Sequence, residues 1–185
     1  MKKRILNEEL VIGAAVEVAK ESGFEAVTLS RVAKKLDIQP QSMYRYADNS
    51  YDLRGKTMAK GLQELLTYLY QNLVGESGKA ALKKLALIMV FGNQEQALPI
   101  NLGLLSQYRE HPAVTEAFQG LHGLIVQLLK GSIQDEEDLR QTAQLLIDLV
   151  LGENISVHSQ TKTNQKTVQV DFEKNLDRVL ALVMD

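Results

Sequence analysis

The 185-residue chain has no cysteine. That excludes a disulfide framework, a thiolate metal site and a cysteine nucleophile, and it suits a reducing compartment. No apolar run approaches the roughly 18 residues of a membrane span. The start "MKKRILNEEL" carries the positive charge of a signal peptide, yet Glu8 and Glu9 arrive before any adequate apolar stretch. The expectation is a cytoplasmic chain without a membrane partner. Proline is scarce, at positions 40, 99 and 112 only. Enzyme motifs are missing as well: there is no Gly-x-Ser-x-Gly, no phosphate-cradling glycine loop and no His-Glu-x-x-His, and the three histidines are scattered. Neither an enzyme, a metal site nor a cofactor is expected.

Charge of one sign is not in excess, the net value being −2. Its distribution is uneven: residues 1–56 hold ten Lys/Arg against eight Asp/Glu, and the rest of the chain is net −4. An anionic partner at the N-terminal end is permitted, not required.

What is present is helical periodicity throughout, with no competing strand alternation, so the fold class is all-α with about nine helices. Asn7 can cap a first helix whose apolar face is Leu10, Val11, Ala14, Ala15 and Val18, stopped at Gly23. Thr28 can cap a second, short helix with Leu29, Val32, Ala33 and Leu36 on one side. Pro40 suits the first turn of a third, to about Tyr46, where its missing N–H costs nothing. Longer helices are expected from Ser50 to about Leu73, over 80–92 as a central buried helix, from Pro99, from Pro112, over Asp135–Val157 and over Asp171–Val183. The polar stretch 158–167, "HSQTKTNQKT", reads as a loop before the last of these.

The second and third helices, joined by "LDI" in "TLSRVAKKLDIQPQSMYRYAD", form a helix-turn-helix pattern, whose second member lies in a major groove. Leu36, Ile38 and Met43 would pack inward. Gln41, Ser42 and Arg45 would point outward, with side chains suited to base edges. Tyr44 and Tyr46 can donate to phosphate oxygens, and Thr28 can bind another phosphate at a helix start. From spacing alone, a helical hairpin serving as a plain connector is an equally open reading.

From Val11 to Leu53 the chain resembles the TetR family of bacterial transcriptional regulators, on "AAVEVAKESGFEAVTLSRVAKKLDIQPQSMYRYADNSYDL". The resemblance implies a helix-turn-helix DNA-binding domain, residues 1–50, on a helical ligand-binding and dimerisation domain, residues 51–185. It implies phosphate contacts at Thr28, Tyr44 and Tyr46, and base reading at Gln39, Gln41, Ser42 and Arg45. Two positions depart from the family pattern. Ala47 stands where a bulky aromatic is usual, with Tyr51 as the residue to fill the gap. The turn Asp48-Asn49-Ser50 lacks a terminal lysine, with Arg54 and Lys56 as its substitutes.

Such an architecture implies a dimer formed by the last two helices, for which Leu146, Leu149, Val150, Phe172, Val179 and Val183 supply broad apolar surfaces, each equally readable as internal core. Two copies at fixed separation would read a palindromic double-stranded operator. A small-molecule effector would release it, with Met89, Phe91, Tyr108, Phe118 and His122 as candidate cavity residues, though each is as readily core or surface. The function expected is a ligand-responsive regulator, acting as a repressor. The alternative is a helical small-molecule-binding protein or carrier with a degenerate DNA-binding half.

Overall fold

The structure, a computed structural model, describes residues 6–92, 102–159 and 165–184. Among them are eight α-helices, a six-residue 3-10 helix, two shorter 3-10 turns and no strand. Pro99 and residues 160–164 lie outside the described residues, and residues 158–159 and 165–167 of the stretch expected as a loop are helical.

Helix α1 is Glu8–Ser22: Asn7 Oδ1 accepts from the Leu10 N–H at 2.9 Å, Glu8 and Glu9 face the positive helix end, and Gly23 stops it at φ 87°. Helix α2, Leu29–Lys35, is capped by Thr28, whose hydroxyl accepts from the Arg31 N–H at 3.3 Å. Its C-terminal end closes by two reciprocal bonds, Ile38 N–H to the Ala33 carbonyl and Asp37 N–H to the Lys34 carbonyl, with Asp37 left-handed at φ 55°. This termination fixes the angle at which the chain leaves α2. The "LDI" turn is thus a backbone-bonded joint, with Ile38 folded onto the same core as Ala33.

The next element, Pro40–Arg45, is a 3-10 helix where an α-helix to about Tyr46 was expected. The reason lies in its length: with six residues and no N–H on Pro40, i to i+3 bonds such as Ser42 N–H to Gln39 and Tyr46 N–H to Met43 close the turns instead. Burial holds it. Met43 is fully buried, which contributes about 1.5–3 kcal/mol, against about 0.5–1.5 kcal/mol net for each of those bonds.

Helix α3, Ser50–Asn72, begins with Asn49 Oδ1 accepting from the Asp52 N–H at 3.0 Å. It serves two cores. Leu53 belongs to the first, with Val11, Ala15, Val27, Val32 and Met43; Met58, Leu62 and Leu69 belong to the second. The second core is closed by α4 (Gly78–Phe91), α5 (Leu105–Tyr108), α6 (Pro112–Leu129), α7 (Glu136–Ser159) and α8 (Gln165–Val183). Helix α6 lies along α3 in the most extensive helix pairing of the fold. As its sequence suggests, α4 is central, touching α6, α7 and α8. The last helix starts six residues before Asp171, because its first turns carry polar residues and exposed Val170, which leave no apolar stripe to read.

Asp37 adopts a conformation that costs most L-residues about 1–2 kcal/mol and that Asp tolerates better than most. Asp37→Val is expected to lower unfolding stability by about 1–2 kcal/mol and Asp37→Gly to preserve or raise it. Urea midpoints of the two variants check this.

Candidate nucleic-acid interface

Met43 orients the short helix by being sealed beneath it, and the residues on either side of it are turned outward. Gln39, Gln41, Tyr44 and Arg45 are exposed, and Ser42 is half-buried. Tyr44 is 63% exposed. Among the described residues, neither the Tyr44 hydroxyl nor the Arg45 guanidinium has an intramolecular partner. Side chains that present amide, hydroxyl and guanidinium groups on one short helix have the donors and acceptors that base edges require.

The other four candidates are engaged inside the chain. Thr28 is half-buried and spends its hydroxyl on the α2 cap. The Tyr46 hydroxyl donates to the Leu6 carbonyl at 2.8 Å. Arg54 pairs with Glu25 at 2.6 Å, and its Nε is buried without a partner. The Lys56 ammonium donates to the Tyr46 carbonyl and sits 3.1 Å from Glu8 and 3.6 Å from Asp52. Arg54 and Lys56 therefore do not stand free as substitutes for the missing turn lysine; carboxylates from α1 and from the loop after it hold them. Lys35 is paired likewise, and hydrogen bonds to Glu21 and then Glu17 raise its pKa.

Tyr51 does not fill the space beside Ala47, which is itself buried in the first core. Its ring instead stacks on Tyr108 at 4.9 Å between centroids, and Tyr108 meets Phe24 edge-on at 5.6 Å. Asp52, one residue on, joins three elements. One carboxylate oxygen accepts from the Asp48 N–H at 2.9 Å; the other lies 3.0 Å from His111 Nε2 at the start of α6. Burial pushes this carboxyl up, but the Asp48 N–H, the His111 hydrogen bond and the Lys56 charge together outweigh it and hold the pKa below the ordinary value. None of these contacts was read from the sequence, although an Asp three residues after a capping Asn is a local signal of helix-start bonding.

Of the cavity candidates, Met89 and Tyr108 are buried in the second core, and Phe91 and Phe118 pack against it. Tyr108 belongs to the aromatic joint just described. Phe91 meets Phe172 of α8 edge-on at 5.8 Å, and buried Asn154 of α7, which the sequence did not flag, donates to the Met89 carbonyl at 2.9 Å. Phe118 and His122 are half-buried on α6. The interface candidates divide by burial. Leu146, Val150 and Phe172 are buried in the chain's own core, while Leu149, Val179 and Val183 are half-buried. The exposed apolar residues of α7 and α8 are Leu145, Ile155, Val170 and Leu182. Periodicity marks an apolar stripe, and the inward side of that stripe is used by the core first.

A helix-turn-helix unit joined through one long helix to an α-helical bundle defines the class of helix-turn-helix regulators. Residues 11–54 match the family described as bacterial regulatory proteins, tetR family. It is 23% identical over 175 positions to YobS, an uncharacterized HTH-type transcriptional regulator of Bacillus subtilis, covering 80% of this chain and 92% of that one. Its fold is similar to that of SCO4454, a TetR-family regulator from Streptomyces coelicolor (TM-score 0.67, 18% identity, 98% and 93% of the chains covered). It is similar also to that of the regulator FadR from Bacillus subtilis, solved with stearoyl-CoA (TM-score 0.63, 18% identity, 97% and 98% covered). The family matched over residues 11–54 is one of regulatory proteins. No helix among the described residues is long and apolar enough to cross a membrane.

Because the folded-state pKa of Asp52 is lowered, its contribution to stability is present above the unfolded value, about 3.8, and is lost as pH falls through the folded value below it. Asp52→Asn is expected to be less stable than the native chain at neutral pH. The gap should narrow only below that unfolded value, as followed by urea midpoints against pH.

Proposed function

We propose that this chain is a ligand-responsive transcriptional repressor that binds a palindromic operator as a dimer. In this reading residues 1–50 bind DNA and residues 51–185 bind the effector and the second subunit. The observation that carries it is the short helix Pro40–Arg45, anchored by a fully buried Met43 and presenting exposed Tyr44 and unpartnered Arg45. Gln39, Gln41, Ser42 and Arg45 read base edges, and Tyr44 donates to a phosphate. Thr28 and Tyr46 hold the frame, Thr28 by capping α2 and Tyr46 by its bond to the Leu6 carbonyl, with the Tyr46 ring beside the sugar-phosphate chain.

Dimerisation uses the outer side of α7 and α8, where Leu145, Ile155, Val170 and Leu182 leave apolar surface that a second copy would cover. The effector enters the bundle closed by α4, α6, α7 and α8, lined by apolar side chains such as Met89 and Phe91 with Asn154 as the buried polar group. Support for an effector with an apolar body comes from the likeness to FadR, whose structure holds stearoyl-CoA. Release follows if the effector prefers a subunit arrangement that the operator does not. The protein acts in the cytoplasm.

The experiment is selection of duplexes from a random pool by the purified chain. A palindrome with two evenly spaced half-sites is expected. No enrichment by folded, dimeric protein would favour a ligand-binding carrier with a degenerate DNA-binding half. On the selected duplex, Arg45→Ala is expected to relax preference at the base pair it reads, losing about 1–3 kcal/mol of discrimination. Tyr44→Phe is expected to weaken all sequences alike by about 1 kcal/mol. Unchanged preference in the arginine variant would mean that another face of the short helix meets the DNA.

A further inference from the structure

The buried group that the reading above leaves unexplained is His111. It is 7% exposed, its Nε2 lies 3.0 Å from Asp52, and its Nδ1 is buried without a partner. An ionised carboxylate only accepts, so Nε2 is the donor in this bond, and Nδ1 is left with no partner. The ring rests directly on α3: a Cβ built on Gly55 would come within 2.3 Å of the imidazole. A helix-interior glycine is costly, and this one is explained by the ring that occupies its side-chain space.

The bonds continue past His111 in one direction. Asp52 passes from the His111 ring to the Asp48 N–H, and Lys56, one turn further along α3, holds the Tyr46 carbonyl. Tyr46 and Asp48 flank Ala47 in the turn that follows Arg45. That turn is therefore gripped at two backbone atoms by one turn of α3, and α3 is gripped by the first residue of the α6 segment. Tyr108, three residues before His111, adds its ring to Tyr51 on the same turn of α3.

We propose that His111 and Asp52 are positioning residues for DNA binding, acting as a clamp through which the start of α6 fixes the turn after Arg45 and hence the aim of the short helix. The inference rests on the DNA-binding reading, and neither residue is assigned any contact with DNA. Movement of α6 would shift the aim of that helix without altering any side chain on the DNA-facing surface.

The test uses the full chain with His111→Gln, Asp52→Asn and the double variant. Hydrogen exchange at the Asp48 amide reads the clamp directly, and affinity for the duplex selected by the native chain reads its consequence. His111→Gln is expected to speed Asp48 exchange and to weaken the duplex by roughly three- to tenfold, the effect of one lost hydrogen bond. The loss should be equal across sequences and leave the salt dependence unchanged, since no phosphate contact is removed. If His111 acts through Asp52, the double variant binds no more weakly than Asp52→Asn alone. Additive losses, or an Asp48 amide that keeps its native exchange rate in folded His111→Gln, would overturn the proposal.

Should His111→Gln fail to fold, Gly55→Ala with His111→Ala removes the ring and fills its place with a better helix former. That pair is expected to be stably folded and still to exchange fast at Asp48. Native protection at Asp48 in it would show a merely structural histidine. Failure of the native chain to select any duplex would defeat the DNA-binding reading separately, because the exchange measurement needs no DNA.

Discussion

Helix α3 has to satisfy two hydrophobic cores with one backbone. Leu53 is sealed in the first and Met58, five residues later, in the second, so the axis of this helix relates the helix-turn-helix unit to the bundle. A helix keeps its side chains in fixed angular relation, and five residues of it leave little room for the two cores to turn independently. The residues around these anchors work at the same junction. Asp52 and Lys56 face the turn after the short helix, while Gly55 faces the α6 segment. The two halves are therefore coupled over a single helical turn.

That coupling explains how so short an element can be held steady. Six residues in 3-10 form make few and strained hydrogen bonds, and left alone they would be marginal. Burial of Met43 fixes their depth, the closed "LDI" joint fixes their entry, and the grip on Tyr46 and Asp48 fixes their exit. Three independent constraints at separate points suffice to orient a rigid body. The exposed side chains are then free to be chosen for their chemistry, because none of them is needed to hold the helix.

The fold was legible in the sequence for a physical reason: its elements bury one face each, and burial leaves a 3.6-residue period. The exceptions follow from the same cause. The first turns of α8 show no stripe and were missed, and the short helix is too brief to show whether it is α or 3-10. Of the candidate site, the exposure of Gln39, Gln41, Tyr44 and Arg45 was readable because they flank a proline and surround an inward methionine. The intramolecular partners of Tyr46, Arg54 and Lys56 were not, since they lie far along the chain, 48 residues away for Glu8 and Lys56. Leu146, Val150 and Phe172 illustrate a further limit: sequence marks a residue as apolar without saying which of two surfaces it covers.

The held cations are not equivalent, and their energetics separate them. The Arg54 and Glu25 pair joins a largely exposed carboxylate to a side chain whose Nε already lacks a partner. Exposed pairs of this kind are worth about 0–1 kcal/mol, so a phosphate that offers two oxygens to the guanidinium competes on favourable terms. Lys56 is different, because it holds a backbone carbonyl as well as two carboxylates. Drawing it away would leave the Tyr46 carbonyl unpaired in a part-buried site and loosen the exit of the short helix, the opposite of what binding requires. On the proposed interface, then, Arg54 is a cation that DNA can recruit, whereas Lys56 belongs to the frame. The turn that lacks its lysine has in Lys56 a structural brace in place of a phosphate contact.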